Sequence, residues 1–180
     1  GDFFFPSDIG EVKTEPRAYQ FNRPWGLPVR YHDAVKLLEL TNPTLFEFHL
    51  SYRDLELDIS KVFSKKYDID FMVHCPELFP GDHILDLSSP NDKYRERSIE
   101  ELQRVINLTL QLKSYFPSTA CPLIIVNVGG ASLNSFEPLE KKKQLYERLC
   151  GSLESLDTSG VELIPQTMPP FPWHFGGQRC

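Results

Sequence analysis

Short apolar runs and stretches of helical periodicity alternate along most of the chain, with polar loops between them. The apolar runs have the length and composition of strands and lie at 27–31, 45–50, 69–73, 122–128 and 161–166. Apolar residues three and four positions apart predict helices at 34–40, 92–116 and 138–156, with Asp33 as the cap of the first. This repeated order of strand, polar loop and helix predicts a parallel α/β fold.

The second apolar run separates its polar and apolar side chains. Within residues 45–50, alternation puts Glu47 and His49 on one face together with Leu45, whereas the three residues of the other face are all apolar. A strand with its polar side chains on one face suits the interior of a barrel that becomes polar toward its mouth. We therefore expect Glu47 and His49 to face such an interior.

The third apolar run ends abruptly at His74. Pro76, Pro80 and Gly81 follow, and they predict no regular element until about Ile84. From the strand end onward, five side chains are of the types that bind ligands or transfer protons: His74, Glu77, Asp82, His83 and Asp86. The alternative is a loop of solvated charges with one satisfied histidine.

Two parallel architectures fit this order of elements, an open doubly wound sheet and a (β/α)8 barrel. The chain has no G-x-G-x-x-G after its first strand and no G-x-x-x-x-G-K-[ST], which counts against a nucleotide-binding open sheet. We therefore predict a partial (β/α)8 TIM barrel of about five parallel strands with intervening helices. Since a complete barrel takes about 250 residues, roughly three strands are missing.

The predicted barrel begins only after a different kind of segment. Residues 1–24 are rich in turn formers and predict an extended arm, whereas residues 25–180 hold the incomplete barrel. The expectation is a piece of a longer protein or a processed product.

Composition limits the partners and the compartment. The chain has 180 residues, of which 41% are apolar, and a formal net charge of -6. Its one tight basic run, Lys141 to Lys143, is typical of a solvated helix face, so no nucleic-acid partner is expected. The four cysteines are spaced singly and form no C-x-x-C, which predicts reduced thiols. With no apolar stretch of about 18 residues, the expectation is a cytoplasmic protein without a membrane partner.

The carboxyl ends of the predicted strands carry the candidate site. In parallel α/β folds these ends meet on one side of the sheet, and the active site lies there. Residues far apart in sequence are therefore expected to converge. They are Arg30, Glu47, His49, His74, Glu77, Asn127 and Gln166, with Trp173 and His174 in the loop beyond the fifth strand.

Three of these strand ends resemble one family. Residues 74–77 (His-Cys-Pro-Glu) and 84–89 (Ile-Leu-Asp-Leu-Ser-Ser) resemble the "His-x-Pro, then Asn-Leu-Ala-Ser" passage on the third strand of xylose isomerase-like TIM barrels. Residues 124–130 (Ile-Ile-Val-Asn-Val-Gly-Gly) resemble the fourth-strand "Val-Val-His-Pro-Gly" ending, and residues 164–169 (Ile-Pro-Gln-Thr-Met-Pro) the fifth-strand "Glu-Asn-Met-Pro" ending. The resemblance covers about residues 25–177. The family includes sugar phosphate isomerases/epimerases and endonuclease-IV-type apurinic endonucleases.

The resemblance implies roles for the candidate residues. In the family's chemistry, an acidic residue moves a proton between adjacent carbons while a divalent metal holds the enediolate. It implies His74, Glu77 and Glu47 as catalytic residues and His74 as a ligand of Zn, Mn or Mg. Substrate contacts are assigned to the remaining candidates: Arg30, His49, Asn127, Gln166, Trp173 and His174.

The chain departs from the family at two of these positions. Where the family carries a metal-binding His on the fourth strand and a Glu on the fifth, this chain has Asn127 and Gln166. Neutral amides hold divalent cations more weakly than imidazole and carboxylate do. We expect these amides to bind substrate hydroxyls instead of a metal.

A second resemblance lies in the N-terminal arm. Residues 1–9 and 21–28 resemble the end of the antifreeze-like (SAF) domain that follows sialic acid synthase barrels. It implies a fused protein of nonulosonic or surface-sugar biosynthesis, with the barrel as its C-terminal module.

Three functions stay open. The leading one is a sugar (phosphate) isomerase/epimerase in carbohydrate metabolism, whose partner is a small sugar or sugar phosphate. The second is a non-catalytic sugar-binding or scaffold barrel with a degenerate metal site, and the third is an endonuclease-IV-like metal-dependent phosphodiesterase. A homo-oligomer or a fused synthase domain would accompany the first two.

Overall fold

The computed structural model describes residues 21–130 and 137–166. The strands are β1 (Gly26–Val29), β2 (Leu45–His49), β3 (Asp70–His74), β4 (Leu78–Phe79), β5 (His83–Ile84), β6 (Leu123–Asn127) and β7 (Glu162–Gln166). The helices are α1 (Ala34–Leu40), α2 (Ile59–Val62), α3 (Asp92–Leu112) and α4 (Leu139–Glu154), with a 3-10 helix at Tyr52–Glu56.

Five of the strands form one sheet in which every neighbouring pair is parallel. Its order is β1-β2-β3-β6-β7. Each connection between successive strands of this sheet contains a helix, as the alternating sequence pattern predicts. The prediction of a partial TIM barrel with five parallel strands is therefore confirmed. Of the predicted arm at 1–24, residues 1–20 lie outside the described residues.

One face of the sheet forms the core against the helices. Phe48 of β2 is completely buried, and α3 contributes buried side chains such as Val105 and Ile106. Burying a side chain of this size contributes about 1.5–3 kcal/mol. Among the described residues, five aromatic rings lie within 6.3 Å of the Phe48 ring, centroid to centroid: Tyr31, Phe46, Phe63, Phe71 and Phe116.

The other face of the sheet is less covered. Alternation along each strand sends Glu47, His49, Met72 and His74 to this face, and all four side chains are partly exposed. We call it the inner face, since it corresponds to the interior of a barrel. The expected separation of polar and apolar side chains in β2 is thus present.

The loop after β3 contains a small hairpin, which corrects the expectation of no regular element before Ile84. Strands β4 and β5 pair in antiparallel fashion, with Phe79 opposite His83. Pro76 and Pro80 lie just outside β4, where their missing N–H groups interrupt no pairing. The turn uses Gly81 and Asp82, both with positive φ.

His83 is part of the core and not of a polar mouth. Its side chain is buried, and its Nε2 lies 2.9 Å from the hydroxyl of Ser98. Burial lowers the pKa of His83, and Arg97 nearby lowers it further, whereas Glu101 and Asp86 act in the opposite direction. His83 therefore serves packing in its neutral form.

Asp86 closes the loop against the end of β6. One of its carboxylate oxygens accepts hydrogen bonds from the amide and hydroxyl of Ser88 and from the amide of Gly130, at 2.8–3.1 Å. Gly129 has φ +87°, and a Cβ there would lie 2.2 Å from the same carboxylate oxygen. The contact joins two of the segments on which the family resemblance depends.

The carboxylate of Asp33 does not cap α1; it accepts a hydrogen bond from the Arg30 amide at 2.7 Å, because Asp33 already has helical backbone angles. Among the described helices, none is both long and apolar enough to span a bilayer.

The Asp86 contact predicts a penalty at Gly129. Gly129→Ala should lower the free energy of unfolding by at least about 2 kcal/mol, because it adds both backbone strain and a clash. Gly151→Ala is the matched control. Gly151 lies in α4 with open space around it, so this substitution should raise the free energy of unfolding by about 0.5–1 kcal/mol. Urea denaturation measures both, and equal effects would contradict the assignment.

His83 predicts a pH dependence of stability. Because its pKa is lowered in the folded state, the unfolded chain takes up the proton first as the pH falls below about 6.5. Stability should therefore fall with pH from about 7 to 5, with a contribution of up to about 1.4 kcal/mol per pH unit, and stay level above about 7. His83→Gln should remove this contribution, whereas exposed His32→Gln should keep it, as urea denaturation across this pH range would show.

Candidate active site

The candidate site begins where β2 and β3 end. His49 and His74 are the last residues of these strands and pair with each other in the parallel register. Their side chains lie on the inner face, and their rings stack with centroids 4.8 Å apart and planes 18° apart. The stack brings together two residues that are 25 positions apart in sequence.

Each imidazole has a polar partner on the same face. The Nε2 atom of His49 lies 2.9 Å from a carboxylate oxygen of Glu47, two residues earlier on β2. The Nε2 atom of His74 lies 3.0 Å from Oε1 of Gln166, at the end of β7. We call these four residues the imidazole row; it runs along the carboxyl ends of the sheet.

A cleft of about 390 Å³ opens beside the row. It is formed by residues at or just after the ends of β1, β2 and β3, so it lies at the carboxyl ends of these strands. Its lining consists of Arg30, His49, Leu50, Ser51, Tyr52, His74, Cys75, Pro76, Glu77 and Leu78. One cation, one carboxylate, two imidazoles and two hydroxyls therefore face a single volume.

Sequence reasoning missed the wall made by Ser51 and Tyr52. Ser51 forms a capping box with Asp54: the Asp54 carboxylate accepts from the Ser51 amide at 2.6 Å and from its hydroxyl at 2.8 Å. The 3-10 helix is also held from outside, since Arg104 of α3 pairs with Glu56, while Glu101 of α3 pairs with the same guanidinium. The signal was the spacing Ser-x-x-Asp, which marks the start of a helical turn.

Glu77 is held by an amide from the neighbouring strand. Asn127, at the end of β6, is about nine-tenths buried and donates a hydrogen bond from Nδ2 to a Glu77 carboxylate oxygen. Oδ1 of Asn127 is buried and has no partner among the described residues. The amide thus orients the Glu77 carboxylate of the cleft.

Cys75 lies between His74 and Pro76 but does not supply a reactive thiol. Its side chain is buried, and this burial raises the pKa of the thiol, as do the negative charges of Glu77 and Glu101. A protonated thiol is a poor nucleophile and a poor metal ligand. The other cleft side chains of types that can transfer protons include its two imidazoles and its carboxylate.

The predicted site residues fall into three groups. Arg30, His49, His74 and Glu77 line the cleft. Glu47, Asn127 and Gln166 contact one of these residues without lining the cleft, and Trp173 and His174 lie outside the described residues. The structure thus brings seven of the nine candidates to one side of the sheet, while their catalytic and substrate-binding roles stay predictions.

The donors do not form a divalent-metal site by themselves. Within 21–130 and 137–166, no three His, Cys, Asp or Glu side chains are grouped so that they could hold a metal ion. His74 and Glu77 face the amides of Gln166 and Asn127 at the positions where a metal site needs anionic or imidazole ligands. The expectation that His74 binds a metal stays a prediction. Such a site would need further ligands from residues outside the described ranges.

Comparison with known proteins agrees with this architecture. The family model described as "xylose isomerase-like TIM barrel" matches residues 33–179, which is most of the chain. No curated protein matches the chain.

Proposed function

The chain belongs to the xylose isomerase-like TIM barrel family, and on this premise we propose that it is an isomerase or epimerase of a small sugar or sugar phosphate. This family includes sugar isomerases and epimerases as well as endonuclease-IV-like members. The proposed reaction moves a proton between adjacent carbons of the sugar or inverts one carbon next to a carbonyl group.

One observation carries the proposal. A single cleft at the strand ends holds the Glu77 carboxylate, the His49 and His74 imidazoles and the Arg30 guanidinium. Isomerisation needs a general acid/base beside the substrate and polar groups that orient its hydroxyls. The volume of about 390 Å³ lies within the range of small-ligand pockets.

In the proposed reaction Glu77 accepts the proton from the substrate carbon. Asn127 holds this carboxylate in place through Nδ2, so the acid/base group is oriented before the substrate binds. His74, whose Nε2 is engaged by Gln166, lines the cleft beside the substrate. Arg30 contacts a phosphate or the oxyanion that forms when the proton leaves the carbon.

The biological setting is part of the proposal. The resemblance of residues 1–9 and 21–28 to a SAF domain supports a role in nonulosonic acid biosynthesis beside a synthase. The singly spaced cysteines support a cytoplasmic location.

A non-catalytic sugar-binding barrel is the second candidate. The amides of Asn127 and Gln166 favour it, because they occupy positions where the family resemblance implies metal ligands and because amides are common hydrogen-bond partners of sugar hydroxyls. Phosphodiester cleavage is less favoured, since the formal net charge of -6 provides no general attraction for nucleic acid.

Deuterium exchange separates these functions. We would incubate the 180-residue protein with a panel of aldoses, ketoses and their phosphates in D2O, with and without added Zn, Mn or Mg, and follow the C–H signals next to the carbonyl by proton NMR. An isomerase or epimerase should replace a C–H by C–D in at least one sugar. Glu77→Gln should slow the exchange by about 10²–10⁴-fold.

The matched control is Glu140→Gln, an exposed carboxylate on α4, which should exchange at the wild-type rate. A sugar that raises the melting temperature but shows no exchange would favour the binding barrel. If no sugar binds and none undergoes exchange, both functions are contradicted.

A further inference from the structure

We infer that His49 is the second acid/base group of this cleft, and that Glu47 and Gln166 are positioning residues that give the two stacked imidazoles different tasks. The inference rests on the proposed proton transfer for its chemistry. The geometry that supports it is independent of any substrate.

The hydrogen bonding of His49 leaves one ring nitrogen available. Its Nε2 lies 2.9 Å from the Glu47 carboxylate, which can only accept, so this nitrogen carries a hydrogen. Nδ1 has no hydrogen-bond partner among the described residues. Since the ring lines the cleft and its side chain is 39% exposed, Nδ1 is the nitrogen that a bound ligand can reach.

His74 differs because both of its ring nitrogens are occupied. Nε2 lies 3.0 Å from the Gln166 amide and Nδ1 lies 3.3 Å from the backbone carbonyl of Cys75. Whichever way the Gln166 amide is turned, it fills the hydrogen-bonding position at Nε2. His74 therefore has no free nitrogen for proton transfer, and its ring supports that of His49 by stacking.

Glu47 acts through His49 and not on the ligand. It does not line the cleft, and its side chain is 27% exposed. A carboxylate at 2.9 Å orients the imidazole and stabilises the imidazolium that forms when Nδ1 takes up a proton. This assigns Glu47 a positioning role, in place of the direct catalytic role expected from the sequence.

The proton balance needs no further reactant. Glu77 takes the proton from the carbon next to the carbonyl group, and the electron pair of the broken C–H bond moves into the enediolate. In an epimerisation, His49 in its imidazolium form gives its Nδ1 proton to the same carbon, which restores the original carbonyl group. In an isomerisation it gives this proton to the former carbonyl carbon, and the hydroxyl proton of the enediolate passes to its oxyanion, so that the new carbonyl group forms on the adjacent carbon. Exchange with solvent then returns the proton from Glu77 and reloads His49.

The first test measures which imidazole nitrogens are available, without any substrate. Diethyl pyrocarbonate acylates a free imidazole nitrogen, and mass spectrometry gives the rate at each histidine at pH 8. We expect His49 to react at least tenfold faster than His74. His32, whose side chain is 81% exposed, and buried His83 provide the fast and slow references.

Gln166→Ala sharpens this test because it frees Nε2 of His74. The variant should raise the rate at His74 at least fivefold and leave His32 unchanged. Equal rates at His49 and His74 in the wild-type protein would overturn the inference, as would a rate at His74 that does not respond to Gln166→Ala.

The second test concerns Glu47. NMR of 15N-labelled protein should show the Nε2–H proton of His49 as a hydrogen-bonded signal, which Glu47→Leu abolishes and Glu47→Gln retains in weakened form. Glu39→Leu, which changes an exposed glutamate of α1, should leave the signal intact. A hydrogen on Nδ1 of His49 in the wild-type protein would overturn the assignment.

If a sugar that undergoes exchange is found, kcat and KM for that sugar provide the last test. Glu47→Gln keeps the orientation but removes the charge, so it should lower kcat by about 10–100-fold with little change in KM, and His49→Asn should lower kcat further. Equal kcat in Glu47→Gln and wild type would overturn the positioning role. If no sugar exchanges, the proposed function fails, while the acylation and NMR results still decide the roles of the two imidazoles.

Discussion

The parallel register of β2 and β3 is the constraint on which the rest of the site depends. Phe48 and Val73 pair in this register and are both completely buried on the helix-covered face. Because side chains alternate along a strand, the next pair, His49 and His74, must point to the inner face. A shift of one residue would bury the imidazoles and expose the aromatic core, so core packing and site geometry are fixed by one pairing.

The segments that carry the family resemblance contain residues of two kinds, those that hold a loop in place and those that line the cleft. Asp86, Gly129 and Gly130 hold the loop after β5 against the end of β6, where a side chain at 129 would collide with the Asp86 carboxylate. His74 and Glu77 belong to the cleft itself. The first group holds the loop at the rim of the sheet in place, and the second lines the cleft.

Amides give this site its particular character. Asn127 engages Glu77, and Gln166 engages His74, so both of these cleft residues meet a neutral hydrogen-bonding partner. A carboxylate or imidazole at these positions would draw in a divalent cation, whereas an amide orients its neighbour without adding charge. Within the described residues, these amides therefore orient side chains at the cleft, and no three His, Cys, Asp or Glu side chains are grouped as a metal site.

The sequence by itself determined the order of the elements, the parallel sheet and the side of the sheet on which the site lies, because hydrophobic periodicity and strand ends are local properties. It also predicted that His49, His74 and Glu77 lie at the strand ends, where they line the cleft. What local pattern could not determine was which polar residue of the loop after β3 faces the cleft: His83 and Asp86 looked equivalent to Glu77, but one is buried beside Ser98 and the other holds Gly130. Nor could it pair Glu47 with His49 or Gln166 with His74, or place Ser51 and Tyr52 on the wall of the cleft. Those contacts depend on strand register and on helix packing, such as the pairing of Arg104 with Glu56. They join residues up to 92 positions apart, so only the tertiary structure decides them.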